Sequence, residues 1–204
     1  MANALRPNGL SPVKHLITGN FNGQGNLYQI AAADTNAYYI GDPVVSSGSG
    51  DANGVPGVTL AAATGALRGV ILGMGPSTQF GPGLEAGLFN VNNLNQTFRP
   101  GAAQATDWYC LVADDPNIIF EVSEPSTGTP LTAAAIGFNV NLVVGTGNGF
   151  QSGWTISNTG AATTSTLQMR LLGLARRQDN AFGLGARWLA KINVHELSAG
   201  TAGV

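Results

Sequence analysis

The chain has 204 residues, a formal net charge of −2, and only 10% charged residues, against roughly 25% in an average soluble domain. An acidic balance with so few cations argues against a nucleic-acid binder, which needs a basic excess to neutralise phosphates. No run approaches the roughly 18 apolar residues of a membrane-spanning helix, and a single cysteine, Cys110, excludes an intrachain disulfide framework.

Low charge with a mean hydropathy of +0.11 leaves two readings open. Either much of the surface is covered in the working state, or a Gly/Ala/Thr/Asn-rich β surface is polar without being charged. The 29 glycines and 10 prolines fall as punctuation between short apolar runs, the pattern of an all-β chain with many turns.

Residues 1–20 carry Pro7, Pro12 and Gly9 and show neither strand alternation nor helical periodicity. They read as an extended N-terminal arm that orders against a neighbouring subunit, with Arg6, Leu10, Val13, Lys14, Leu16 and Ile17 as contact candidates. The opening MANALRPNGLSP lacks the basic-then-apolar layout of a signal peptide, so synthesis in a reducing cytosol is expected.

Residues 21–100 read as a first β unit, a small barrel or curled sheet. Its strands are expected near Leu27–Ile30, Ala37–Ile40, Val44–Val45, Val58–Ala63 and Leu67–Leu72. The low-complexity segment from Ser46 to Gly57 is an exposed loop or hairpin tip, which makes Asp51 and Asn53 further contact candidates. Gly73 to Pro100 has no clear pattern and reads as a linker closing this unit.

Residues 101–197 read as a second β unit, an antiparallel sandwich or barrel, followed by a loose tail at 198–204. The densest apolar stretch opens it: Trp108–Ala113, a turn at Asp114-Asp115-Pro116-Asn117, then the alternating run Ile118–Ser123. That pattern predicts a β-hairpin with Ile118, Phe120 and Val122 in the core. Cys110 is expected to be a buried structural thiol. Period-2 alternation returns at Phe138–Val144, Leu167–Leu172 and Arg187–His195. Thr132–Ile136 and Leu174–Asp179 have room for a helical turn or two, without an amphipathic stripe.

Little in this pattern carries chemistry. His195-Glu196 lacks the second histidine of a zincin motif, and alternation places His195 on the outward face of the last strand. Asp114 and Asp115 are accounted for by turn formation, with a divalent ion at Asp114, Asp115 and Asn117 as the rival reading. Glu121 and Glu124 differ in parity and do not share a face. Gly145, Gly147 and Gly149 have no following lysine and suit a hairpin better than a phosphate loop. Arg176-Arg177 reads as a polar contact to a protein partner. No catalytic, metal or cofactor residue is assigned, and no enzyme is expected.

Several runs together resemble virion structural proteins of tailed phages, most of all the capsid decoration (cement) proteins of short-tailed phage heads. They are NALRPNGLSPVKHL, TNAYYIGDPV, DDPNIIFEVSE, NLVVGTG, STLQMRLLGLARRQDN and ARWLAKINVHEL, spread over most of the chain. The resemblance implies a β-rich, often trimeric protein on the outer face of the shell, where it staples neighbouring coat subunits. The partners so implied are the major capsid protein and further copies of the chain, in the virion and not on nucleic acid or membrane. A tail, head-fibre or shell component is the rival within the virion. A carbohydrate-binding β-sandwich using Trp154, Tyr38 or Trp108 is the rival outside it.

Overall fold

The computed structural model describes residues 3, 7–17, 19–76, 97–200 and 202–203. Arg6, one of the contact candidates, and most of the stretch read as a linker lie outside the described residues. In chain order the strands are β1 (Ser11–His15), β2 (Gly19–Asn20), β3 (Asn26–Ile30), β4 (Tyr38–Tyr39), β5 (Pro43–Gly50), β6 (Pro56–Leu60), β7 (Gly69–Pro76) and β8 (Phe98–Arg99). They continue with β9 (Trp108–Ala113), β10 (Ile118–Ser123), β11 (Asn139–Val140), β12 (Leu142–Val143), β13 (Thr155–Ile156), β14 (Met169–Leu174) and β15 (Arg187–Ile192). The chain is all-β, and the only helical element among the described residues is a 3₁₀ turn at Ala133–Ala135.

Two bodies of strands pack together. One is a closed barrel in the order β3-β6-β5-β7-β9, and the other is a six-stranded sheet in the order β11-β14-β15-β10-β1-β2. Tyr28, Ile30, Val44, Val58, Ile71, Trp108, Cys110 and Val112 fill the barrel. Phe120, Val122, Met169, Leu171, Trp188, Ala190 and Ile192 line the inner face of the sheet. Leu67, Val70 and Ala113 of the barrel side join that second cluster, so the two interiors are continuous.

Trp108–Ala113 and Ile118–Ser123 are both strands, as alternation predicts, but they are not a hairpin. β9 pairs with β3 and β7 in the barrel, whereas β10 pairs with β1 and β15 in the sheet. The short connection between them turns a corner from one body to the other. Asp114 holds that corner. It is buried, and its carboxylate accepts hydrogen bonds from the Tyr28 hydroxyl at 2.6 Å and from Asn26 Nδ2 at 2.9 Å. Arg68 Nη2 lies 3.5 Å away, and its Nε donates to the Tyr28 oxygen at 2.7 Å. Only Asp115 makes the expected turn contact, accepting from Asn117 N at 2.8 Å.

The N-terminal residues are likewise no free arm. β1 is an interior strand of the chain's own sheet, with Ser11 opposite Glu121 and Lys14 opposite Ile119. A bulge between Pro12 and Lys14 breaks the two-residue period that would mark a strand, and it accommodates a proline that cannot donate to the ladder. Just before it, Gly9 (φ +63°) passes so close to Gly41 that a Cβ would stand 2.3 Å from Gly41 O. Leu10 N donates to that oxygen at 3.0 Å, and the Leu10 side chain is fully buried in the sheet cluster.

The sequence boundary drawn near residue 100 therefore does not separate the bodies. The barrel extends through Ala113, and the sheet takes β1 and β2 from before the barrel.

Candidate interaction surface

Strand register fixes which side chains share the outer face of the six-stranded sheet. Lys14 stands opposite Ile119, Ile119 opposite Lys191, and Lys191 opposite Arg170. Residues paired across strands project from one face, so these four form a row across the sheet. Along β15, Trp188, Ala190 and Ile192 are buried while Arg187, Leu189 and Lys191 are partly exposed, the alternation seen in the sequence.

A bulge in β14 shapes this face. Leu171 is opposite Ala190 and Gly173 opposite Leu189, so Leu172 is the extra residue. The bulge turns Leu172 outward, and Gly173 places no side chain over the neighbouring ladder position. A groove of about 770 Å³ results, lined by Leu172, Leu174, Leu189, Ile136 and Phe182, with Lys14 and Arg176 at its rim. Phe182 is 45% exposed and Ile136 43% exposed.

The face is basic. Lys14, Arg170, Arg176, Arg177, Arg187 and Lys191 lie on or beside it, six of the nine cations of the chain. Two carboxylates accompany these cations: exposed Asp179, which shares a cleft with Arg177 and Arg187, and Glu121, which is buried and accepts from Arg177 Nη2 at 2.8 Å and from Arg187 Nη1 at 2.8 Å. Two guanidinium groups thus cover one acid. Arg170 donates to Asn139 Oδ1 and to Ala202 O, and it faces the like-charged Lys191 across the ladder.

At the edge of the same sheet, the turn between β1 and β2 exposes Leu16 (53%) and Ile17 (81%). Of the expected contact residues, then, Lys14, Leu16, Ile17 and Arg176 are exposed around one face, and Val13 is half-buried beside them. Leu10 is corrected to a core residue, while Arg177 pairs with Glu121 and keeps 52% of its side chain exposed on this face. Asp51 and Asn53 lie elsewhere, at the tip of the β5–β6 hairpin. Asp51 Oδ1 accepts from Asn53 N and Val55 N at 2.8 Å each, and Oδ2 accepts from the Tyr109 hydroxyl at 2.6 Å. Burial works to raise its carboxyl pKa, but these bonds outweigh it and hold the value below the ordinary one.

Several titratable groups sit inside the structure. His195 is 3% exposed, not outward-facing; its Nδ1 accepts from Leu197 N at 3.0 Å, and burial lowers its pKa. Glu124 is fully buried, accepting from Trp188 Nε1 at 3.2 Å and Leu131 N at 3.3 Å, and burial raises its pKa to about 7. Asp42 is raised by burial to about 6. Burial also pushes up the Cys110 thiol. A cleft of about 300 Å³ at the corner is lined by His15, Asn26, Asp114 and Asp115. Among the described residues no group of three or more His, Cys, Asp or Glu is placed to hold a metal ion. Trp154, Tyr38 and Trp108 are 1%, 0% and 5% exposed, so none offers a stacking platform for a sugar.

Barrel, sheet and grooved face define the class: an all-β chain with an apolar–basic groove on the outer face of its sheet. Comparisons with family models, curated proteins and solved structures return no match.

Proposed function

We propose that this chain is a non-enzymatic structural protein of a tailed-phage virion, which binds the outer surface of the head as an oligomer and cements neighbouring coat subunits. The observation that carries the reading is the outer sheet face, where an apolar groove, a basic rim and the exposed Leu16–Ile17 tip lie together. Large exposed apolar patches rimmed by polar groups mark protein–protein contacts. The resemblance of the sequence runs to decoration proteins supplies the partner, the major capsid protein, and the place, the virion after synthesis in the host cytoplasm. A trimer is the expected oligomer on the same ground. Valency then multiplies modest contacts into tight attachment.

The burial of Trp154, Tyr38 and Trp108 removes the support for a sugar-binding platform. The rival is another virion component, such as a tail, head-fibre or shell protein.

The test is co-sedimentation of purified protein with matured phage heads stripped of it. Saturable binding that is lost in a Leu16→Glu, Ile17→Glu double variant supports the reading. A folded oligomer that ignores the heads overturns it and moves the assignment to the tail or fibre.

A further inference from the structure

Three cations on the outer sheet face are left without a counter-ion among the described residues. Lys14 and Arg176 line the groove, and Lys191 stands two residues along β15 from the groove residue Leu189. The ion pairs of the described residues use His15, Arg68, Arg177 and Arg187, and none of these three takes part in one. Glu121 is spent on Arg177 and Arg187, and Asp179 lies in their cleft. Among the described residues no carboxylate lines the groove itself. An apolar floor with unpaired cations at its rim complements an occupant that is both apolar and acidic.

Strand order sets the spacing that the occupant must match. Lys14 is on β1, and Arg176 follows β14, where Ala175 N still bonds Arg187 O of β15. β14 and β1 are three places apart in the sheet, with β15 and its Leu189 between them. At about 4.8 Å per strand, the two cations stand on lines about 14 Å apart. An extended peptide advances about 3.4 Å per residue and turns every second side chain to one face. Its residues i and i+4 therefore share a face about 14 Å apart, with i+2 between them. Carboxylates at i and i+4 meet the two cations, and an apolar side chain at i+2 enters the groove. An anion with one charged group satisfies only one end. The chain itself lacks the pattern: of its 11 acidic residues, no two stand four positions apart. Two copies meeting through this face would also bring unpaired cations together.

We infer that the groove on the outer sheet face receives an extended acidic segment of another protein, with acidic residues at i and i+4 flanking an apolar residue at i+2. The inference rests on the proposed reading of this face as a protein contact and deepens it, by naming the chemistry of the coat segment that the face holds.

A capped heptapeptide, Gly-Glu-Thr-Phe-Thr-Glu-Gly, tests it on the full chain. In about 50 mM salt its addition is expected to move the amide chemical shifts of Leu172, Leu174 and Leu189, and the shifts are expected to vanish near 0.5 M, where screening is short-ranged. A peptide with Gln in both acidic places, and one with its acids two positions apart, are each expected to bind at least about tenfold more weakly. Lys14→Glu with Arg176→Glu should lose the Glu peptide and gain one with Lys in both acidic places. No shift at these leucines with the peptide at about 2 mM, equal binding of the Gln peptide, or a folded double variant that still takes the Glu peptide would each overturn the inference. So would dodecanoate moving the same amides more strongly than the peptide, which would assign the groove to a lipid anion. Should the Glu pair fail to fold, Lys14→Gln with Arg176→Gln serves in its place and should lose the Glu peptide. The assay needs no phage head. Peptide binding without head binding would count against the proposed function alone, and head binding without peptide binding against this inference alone.

Discussion

Replacing Glu124 by Gln isolates the most consequential buried charge in the fold. Glu124 sits at the end of β10, fully buried, with Oε2 bonded to Trp188 Nε1 and Leu131 N and with Oε1 lacking a hydrogen-bond partner among the described residues. Burial raises its pKa from 4.5 to about 7. The folded state therefore favours the protonated acid. The associated stability is fully present below pH 4.5 and is lost as pH rises through about 7. At about 1.4 kcal/mol per decade of acidity, the loss over these decades is about 3.5 kcal/mol, or roughly 7–14 °C in Tm for a chain of this size. Gln keeps the shape and an acceptor for Trp188 but cannot ionise. Chemical denaturation of both proteins at pH 5 and pH 8 should show near-equal stability at pH 5 and a clear advantage for Glu124→Gln at pH 8. Asp42, raised to about 6, leaves a smaller loss over pH 4–6 in both proteins. Stability curves that run parallel from pH 5 to 8 would refute the reasoning, because they would mean that Glu124 is ionised in the fold at little cost.

Arg187→Ala removes one of the two guanidinium groups on buried Glu121; with half-exposed Arg177 still in place, a loss of about 2–3 kcal/mol is expected in denaturant titration. Gly9→Ala forces a side chain against Gly41 O and Ser152 at a positive φ, and should cost at least about 2 kcal/mol by the same assay. The Cys110 thiol is fully buried, with its pKa raised by that burial, so a disulfide reagent at pH 8 should label it only at the rate of unfolding. Fast labelling of the native protein would contradict that placement.

What the sequence made legible follows from where side-chain alternation is regular. Arg187–Ile192 and Ile118–Ser123 are predicted as strands and are strands, because one face of each meets the core and nothing interrupts the period. Alternation says which way a side chain points, not which strand lies beside it. The four residues between β9 and β10 have hairpin-turn chemistry, yet the pull of Tyr28, Asn26 and Arg68 on Asp114 takes the chain round a corner instead. β1 was hidden by the bulge at Pro12, and its main pairing, with β10, comes from more than 100 residues away in the chain. The groove was hidden for a similar reason. A bulge at Leu172 and a glycine beside it are invisible to a period-2 reading, so Leu172 could be placed on a strand but not over a cavity. The pairing of Arg177 with Glu121 could not be read from the sequence, because Glu121 comes from a strand 56 residues away.

The central claim is that the chain strengthens a phage head by binding its outside. The most direct measurement is the temperature at which stripped, DNA-filled heads release their DNA, with and without saturating protein. The account predicts a higher release temperature that rises with occupancy and then levels off, and no rise with the Leu16→Glu, Ile17→Glu variant. Bound protein that leaves the release temperature unchanged would contradict it.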